Sequence, residues 1–243
     1  MYGFMELVNV AFSGGCLGKN QGCEKAGDEI ARLLGNVKAG VISAPDVDAV
    51  TAALEKAQGR IFVGGDHSIT YGLVRGLPRD KGIILLDAHA DVKLGTKSVD
   101  HECWLRKLIE EKIVQPEHVL LVGVRMLTEI EKKFLKEHRI RVIKVEELFE
   151  MGIDEMCDEI MEFCRHFKQA YLSIDIDVVD PAYAPGTGYL EPGGFSSREL
   201  LYLVKRLKML KNLQRVDLVE VNPERDVQGM TCKLAAQIIA EMV

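Results

Sequence analysis

Short apolar runs, many of them β-branched, recur along the chain. They alternate with longer stretches in which apolar residues return every three or four positions. The short runs fall at 7–11, 39–42, 60–63, 82–86, 118–122, 141–144, 170–176 and 215–220. Several hold almost no polar residue, as in IILL, VLLVGV and YLSIDI. A strand with one solvated face alternates apolar and polar side chains, so a continuous apolar run predicts a strand buried on both faces. Helical spacing is clearest over 48–57, 128–137, 154–167, 197–210 and 231–242. Ser196 and Ser197, with Glu199 and a leucine run behind them, supply a helix start. Strand–helix alternation through the whole length predicts an α/β fold with a parallel sheet. No composition break, linker or internal repeat interrupts it, so one domain over residues 1–243 is expected.

Composition narrows the function classes. The chain has 243 residues, 47% hydrophobic and 28% charged, with a net charge of −6. That length can bury a sizeable core. The acidic balance lacks the basic stripe of a nucleic-acid binder. No apolar run approaches the ~18 residues that span a bilayer. The opening stretch MYGFMELVNVAF has neither a basic leader nor a small-residue cleavage site. A cytoplasmic protein that binds neither nucleic acid nor membrane is therefore expected. The six cysteines form no CxxC pair, which removes support for a zinc ribbon or a thioredoxin-type site. They are expected to be free thiols, with Cys157 and Cys164 on one buried helix face.

In open parallel sheets, ligands bind beyond the carboxyl ends of the strands. The residues that follow the apolar runs are therefore the informative ones. After IFV comes Gly64-Gly65-Asp66-His67-Ser68, and after IILL comes Asp87-Ala88-His89-Ala90-Asp91. YLS runs into Ile174-Asp175-Ile176-Asp177, and VDLV into Glu220 and then Asn222-Pro223. So many carboxylates at one rim are costly unless they face solvent or hold cations. Alternate side chains of an extended segment point the same way. Asp87, His89 and Asp91 can thus converge, as can Asp175 and Asp177, with His67 adding an imidazole. Four aspartates and two histidines suit Mn²⁺, with Fe²⁺, Co²⁺, Ni²⁺ and Zn²⁺ as other possible occupants. Six ligands are too many for one ion with an open position, but they suit two ions that share carboxylates. Two ions ~3.5–4 Å apart activate water near neutral pH.

GGDHS, DAHAD, SIDIDVVDPAYAPGTG followed by EPGG, and EVNP occur in that order over residues 64–223, within a match that covers roughly 14–223. Together they resemble the arginase–agmatinase (ureohydrolase) family. The resemblance implies a single three-layer α/β domain around an eight-stranded parallel sheet, arginase/deacetylase-like, assembled as a homo-oligomer (trimer or hexamer). It implies two divalent ions, Mn²⁺ foremost. His67, Asp87, Asp91 and Asp175 would hold one, and Asp87, His89, Asp175 and Asp177 the other. His101, in SVDHECWLRKLIE, matches a proton-shuttling histidine, and Glu220 matches the carboxylate that holds the guanidinium. Asp66 would orient neighbouring ligands, and Asp91 would assist in stabilising the tetrahedral intermediate. The implied activity is hydrolysis of a small guanidino compound to urea and an amine.

Departures from the family pattern bear on the substrate. Arginases place an asparagine where this chain has Lys93, and an aspartate after Gly-x-Arg where it has Met126. Agmatine, which lacks the α-carboxylate, is therefore favoured, and the resemblance leans to agmatinase-like members. Lys93 would instead suit a carboxylate-bearing substrate such as guanidinobutyrate or formiminoglutamate, unless it is a solvated loop lysine. Tyr189 and Leu190 also replace the family's usual Thr-Pro in GTGTPEPGG, and the Gly–Pro element near the N-terminus reads GCEKAG at 22–27. A one-zinc amide deacetylase and a non-catalytic metal-binding protein are the alternatives. The full ligand set argues against both.

Overall fold

The structure, a computed structural model, describes residues 7–35, 37–95 and 98–243. The reading of the first residues as free of a leader lies, over 1–6, outside the described residues. The eight expected runs are strands: β1 Leu7–Val10, β2 Gly40–Ile42, β3 Ile61–Gly64, β4 Lys81–Leu86, β5 Val119–Val124, β6 Arg141–Lys144, β7 Gln169–Asp175 and β8 Leu213–Val219. All pair in parallel in one sheet of order β2-β1-β3-β8-β7-β4-β5-β6. β3, β4, β5 and the central part of β7 are buried at every position, as their unbroken apolar runs require.

Successive residues of each strand feed opposite layers. Ile84 and Leu86 of β4 join Leu172 and Ile174 of β7 in one core, while Ile83 and Leu85 join Tyr171 in the other. The first core is closed by α1 (Ala26–Leu33), α6 (Val145–Arg165), α7 (Ser197–Leu207) and α8 (Met230–Met242). The second is closed by α2 (Val47–Leu54), α3 (Ile69–Arg75), α4 (Trp104–Glu110) and α5 (Glu129–His138). The result is the expected three-layer arrangement.

Helix starts follow local chemistry. Ser196 accepts from the Glu199 amide while Glu199 reaches back to the Ser196 amide, a capping box as the sequence suggested. Thr128 and Glu131 do the same for α5. α6 begins nine residues before the helical spacing anticipated, at Val145 instead of Asp154. Gly152 (φ +80°) kinks it, and that break hides the first turns from a periodicity search. All six cysteines are free and buried, including Cys157 and Cys164 in α6.

Candidate metal centre

The residues singled out at the strand ends come together at one rim. Four neighbouring central strands deliver them. β3 leads to His67, β8 to Glu220, β7 to Asp175 and Asp177, and β4 to Asp87, His89 and Asp91. The means differ from the expected pleat. Only Asp175 belongs to a strand; Asp177 lies in a 3-10 turn, Ile176–Val178, that the Asp175 side chain caps by accepting from the Asp177 amide. Asp87 likewise accepts from the His89 amide at 2.7 Å, and Asp91 adopts φ +52°. Alternation in an extended strand is therefore corrected. The candidate ligands converge because aspartates fold the chain back through tight turns just past the strands. Glu220, expected inside its strand, sits one residue beyond β8 with φ +63°.

Close backbone approach sets the His67 loop. A Cβ on Gly65 would stand 1.5 Å from the Phe12 carbonyl oxygen, so glycine is required there. Asp66 is fully buried and accepts from the Gly15 and Ser68 amides, each at 2.9 Å. Both of these bonds are to backbone amides, so Asp66 braces the loop that carries His67. Burial, reinforced by nearby Glu220, pushes its carboxyl up to about 6.

His67 Nδ1 lies 3.0 Å from Asp91 Oδ2, 3.1 Å from Asp175 Oδ2 and 3.2 Å from Asp87 Oδ2. Its Nε2 lies 2.9 Å from Ser173 Oγ, and Ser173 donates its own proton to Asp217 at 2.6 Å. Ser173 can then only accept from Nε2–H, which leaves the Nδ1 lone pair facing the carboxylates. Nδ1 and Asp87 Oδ2 are both buried without a hydrogen-bond partner. Burial works against a charge on His67, but Asp175, Asp87 and Asp91 outweigh it and hold the imidazole pKa well above its usual value. A proton or a metal ion has to stand at this point.

A second group adjoins the first. His89 Nδ1 lies 3.1 Å from Asp177 Oδ2 and 3.4 Å from Asp87 Oδ1. His67, Asp87 and Asp91 offer donor atoms within 4.8 Å of one another, as do Asp87, His89 and Asp177. Asp87 belongs to both sets. Two adjacent cation positions with a shared carboxylate, oxygen-rich with one imidazole each, fit a pair of divalent ions.

His101 is 4% exposed, which removes the surface reading of this residue. Its Nδ1 lies 3.3 Å from Glu220 Oε1, and its Nε2 is buried without a partner. Burial would lower its pKa, but Glu220 outweighs burial and lifts it to about 9. Glu220 also accepts from the His67 amide at 2.7 Å and from Asn20 Nδ2 at 2.6 Å. Lys93 is neither free nor simply solvated. It lines the cleft with 37% of its side chain exposed, and it pairs with Glu102 at 2.7 Å. The other histidines stay apart: His118 packs on Phe167, His138 on Phe134, and His166 is exposed.

The two His/Asp groups open into a cleft of ≈ 320 Å³, counted out to bulk solvent and lined also by His101, Glu102, Glu131, Tyr189 and Glu220. Several of the residues that set it up carry no role in the sequence reading. Asn20 steadies Glu220, Trp104 Nε1 donates to Asp91 Oδ2 at 2.6 Å, and Asp217 anchors Ser173. Asp217 had a visible signal, a charge inside the apolar run RVDLV. Trp104 lies in the segment SVDHECWLRKLIE without a role of its own there, and Asn20 had no signal.

The arginase family profile matches residues 24–243. The chain belongs to the arginase family. It is 31% identical to an arginase of Staphylococcus aureus over 208 residues, 78% of this chain and 69% of that protein. It is 36% identical to a guanidinopropionase of Pseudomonas aeruginosa over 190 residues, 75% of this chain and 59% of the relative. Among solved structures, the agmatine ureohydrolase of Thermoplasma volcanium superposes with a TM-score of 0.85 at 25% identity, covering 98% of this chain and 88% of that one. As an arginase-family member this chain is a hydrolase, and its His/Asp groups are placed where a metal pair can bind. No helix among the described residues is long and apolar enough to cross a membrane.

Proposed function

We propose that this arginase-family protein hydrolyses a guanidino compound, agmatine foremost, to urea and an amine. His67, Asp87, Asp91 and Asp175 would hold one divalent ion and Asp87, His89, Asp175 and Asp177 the other, with Mn²⁺ the expected metal. Bound there, such ions would lower the pKa of water and so supply the hydrolytic nucleophile near neutral pH. Glu220 accepts the planar guanidinium through charge-assisted hydrogen bonds. Asn20, the His67 amide and His101 fix the carboxylate in place, so little reorganisation is needed when substrate arrives. His101 holds a proton at neutral pH and presents Nε2 for its transfer to the leaving amine. Asp91, held by Trp104, helps to stabilise the tetrahedral carbon. Tyr189 lines the cleft beside the His89 and His101 rings.

One observation carries the choice of agmatine. Two carboxylates of the cleft lining, Glu102 and the buried Glu131, stand against one ammonium, Lys93, which Glu102 already neutralises. A cationic tail fits that balance. The presence of Lys93 in the lining supports a second reading, a carboxylate-ended substrate such as guanidinobutyrate or formiminoglutamate, and the similarity to a guanidinopropionase points the same way. On the same reading the protein is cytoplasmic and homo-oligomeric, which fractionation and sedimentation check.

The test is urea release by Mn²⁺-loaded protein from agmatine, arginine, guanidinobutyrate and guanidinopropionate, with ammonia release from formiminoglutamate alongside. Agmatine is expected to turn over with the highest kcat/KM. Glu220→Gln is expected to lower that value about 10²–10³-fold with metal content unchanged. No turnover of any of these with two metals bound would overturn the reading and favour an amide substrate or a non-catalytic role.

A further inference from the structure

Two departures from the family pattern, Lys93 and Tyr189, meet in space around a third residue, Glu102. Glu102 Oε1 accepts from Lys93 Nζ at 2.7 Å and from Tyr189 OH at 2.9 Å. The Lys93 amide donates to the Glu102 carbonyl at 3.0 Å, and the Glu102 amide to Asp100 Oδ1 at 3.0 Å. The glutamate is thus fixed in backbone and side chain. Lys93 and Glu102 share the β4–α4 connection while Tyr189 lies far along the chain, and all three line the cleft beside the His/Asp groups. The Tyr189 ring lies 5.1 Å from that of His89 and 5.9 Å from that of His101, so the clasp also positions the cleft's aromatic roof.

Charge at this clasp decides what can enter tail-first. A carboxylate that reaches for Lys93 meets Glu102 on the same ammonium, and like charges that close repel several-fold in affinity or more. An ammonium tail meets Glu102 and Glu131 instead, with Lys93 already neutralised. The geometry points to Glu102 as a specificity-determining residue that masks Lys93 and selects guanidino compounds with a cationic far end over those ending in carboxylate. This rests on the guanidino-hydrolase reading above.

Titration calorimetry of Mn²⁺-loaded protein with putrescine and with γ-aminobutyrate reads the tail preference without turnover. The unaltered protein is expected to favour putrescine at least tenfold. Glu102→Gln, which keeps the shape and removes the charge, should shift the ratio toward γ-aminobutyrate by about tenfold. Adding Lys93→Met to that variant should abolish the shift, because the unmasked ammonium is then gone. A ratio unchanged by Glu102→Gln overturns the inference, and so does an unaltered protein that fails to distinguish the two amines. Urea release from agmatine and guanidinobutyrate by the same proteins keeps the two ideas apart. A binding shift without hydrolysis of either compound sinks the hydrolase reading and leaves the clasp standing. Hydrolysis with an unaltered preference does the reverse.

Discussion

Lys81 is a lysine with 1% exposure at the start of β4, far along the strand from the metal centre. Its ammonium donates to the carbonyls of Leu77 (3.3 Å) and Pro78 (3.1 Å), just past the end of α3. Those carbonyls stabilise the charge only in part, and burial pushes its pKa from 10.5 down to about 8. The linkage sign follows from that depression. Below pH 8 both folded and unfolded chains hold the proton, and the fold bears the full burial cost. Between pH 8 and 10.5 the unfolded chain binds more proton than the folded one, so this residue makes stability rise with pH. A Lys81→Met variant should therefore lose its stability advantage over the unaltered protein, by about 1–2 kcal/mol across that window after allowance for partial solvation. Parallel urea denaturations at pH 7.5 and 10 measure it. A difference between the two proteins that does not change with pH would show that Lys81 is not the titrating group.

At the scale of elements, the sheet was legible and the turns that arm it were not. Apolar runs announce buried strands, so all eight were found within about two residues at each end. α3 escaped because it is seven residues long, starts directly on the GGDHS loop and is buried at nearly every position, which leaves no periodicity. The candidate ligands stood out by type and strand-end position, whereas their turn geometry depends on side-chain-to-backbone bonds that spacing does not reveal. Glu102 was passed over because its partner Tyr189 is 87 residues away. Arg125, next after β5, shows how such elements cooperate. Its guanidinium donates to the carbonyls of Asp177 (2.6 Å), Val178 (3.2 Å) and Glu191 (2.8 Å), while its amide donates to Ala88 at 3.0 Å. It thereby ties the Asp177 turn and the Glu191 loop to the DAHAD turn. Arg125→Met should weaken the second metal position, formed with His89 and Asp177, about 10–100-fold and spare the one at His67. Metal titration that still fills both positions with unchanged affinity would show that the clamp is dispensable.

For the whole molecule, the sheet and the site place opposite demands on stability. Two apolar cores sandwich the strands. Against them stand Asp87, Asp91, Asp175 and Asp177, all buried at the rim of the four central strands. Without cations these carboxylates repel one another and remain desolvated, so the metal-free fold carries a strain that the bound ions would relieve. Because the strands that bear the ligands are central and not at an edge, the relief is felt by the entire sheet. Ligands that bind only the folded state stabilise it by mass action, about 4 kcal/mol when present at ~1,000 times their Kd. For a chain of this size that corresponds to a rise in Tm of the order of 10 °C. Chelator-treated protein should accordingly melt about 10 °C lower, with its far-ultraviolet circular dichroism at 25 °C unchanged, and Mn²⁺ should restore the Tm. The restoration should be reduced in His67→Ala, which deletes the imidazole on which three of the carboxylates converge. A Tm indifferent to both chelator and Mn²⁺ would mean that the acidic cluster is satisfied by protons, and the two-metal assignment would fall with it.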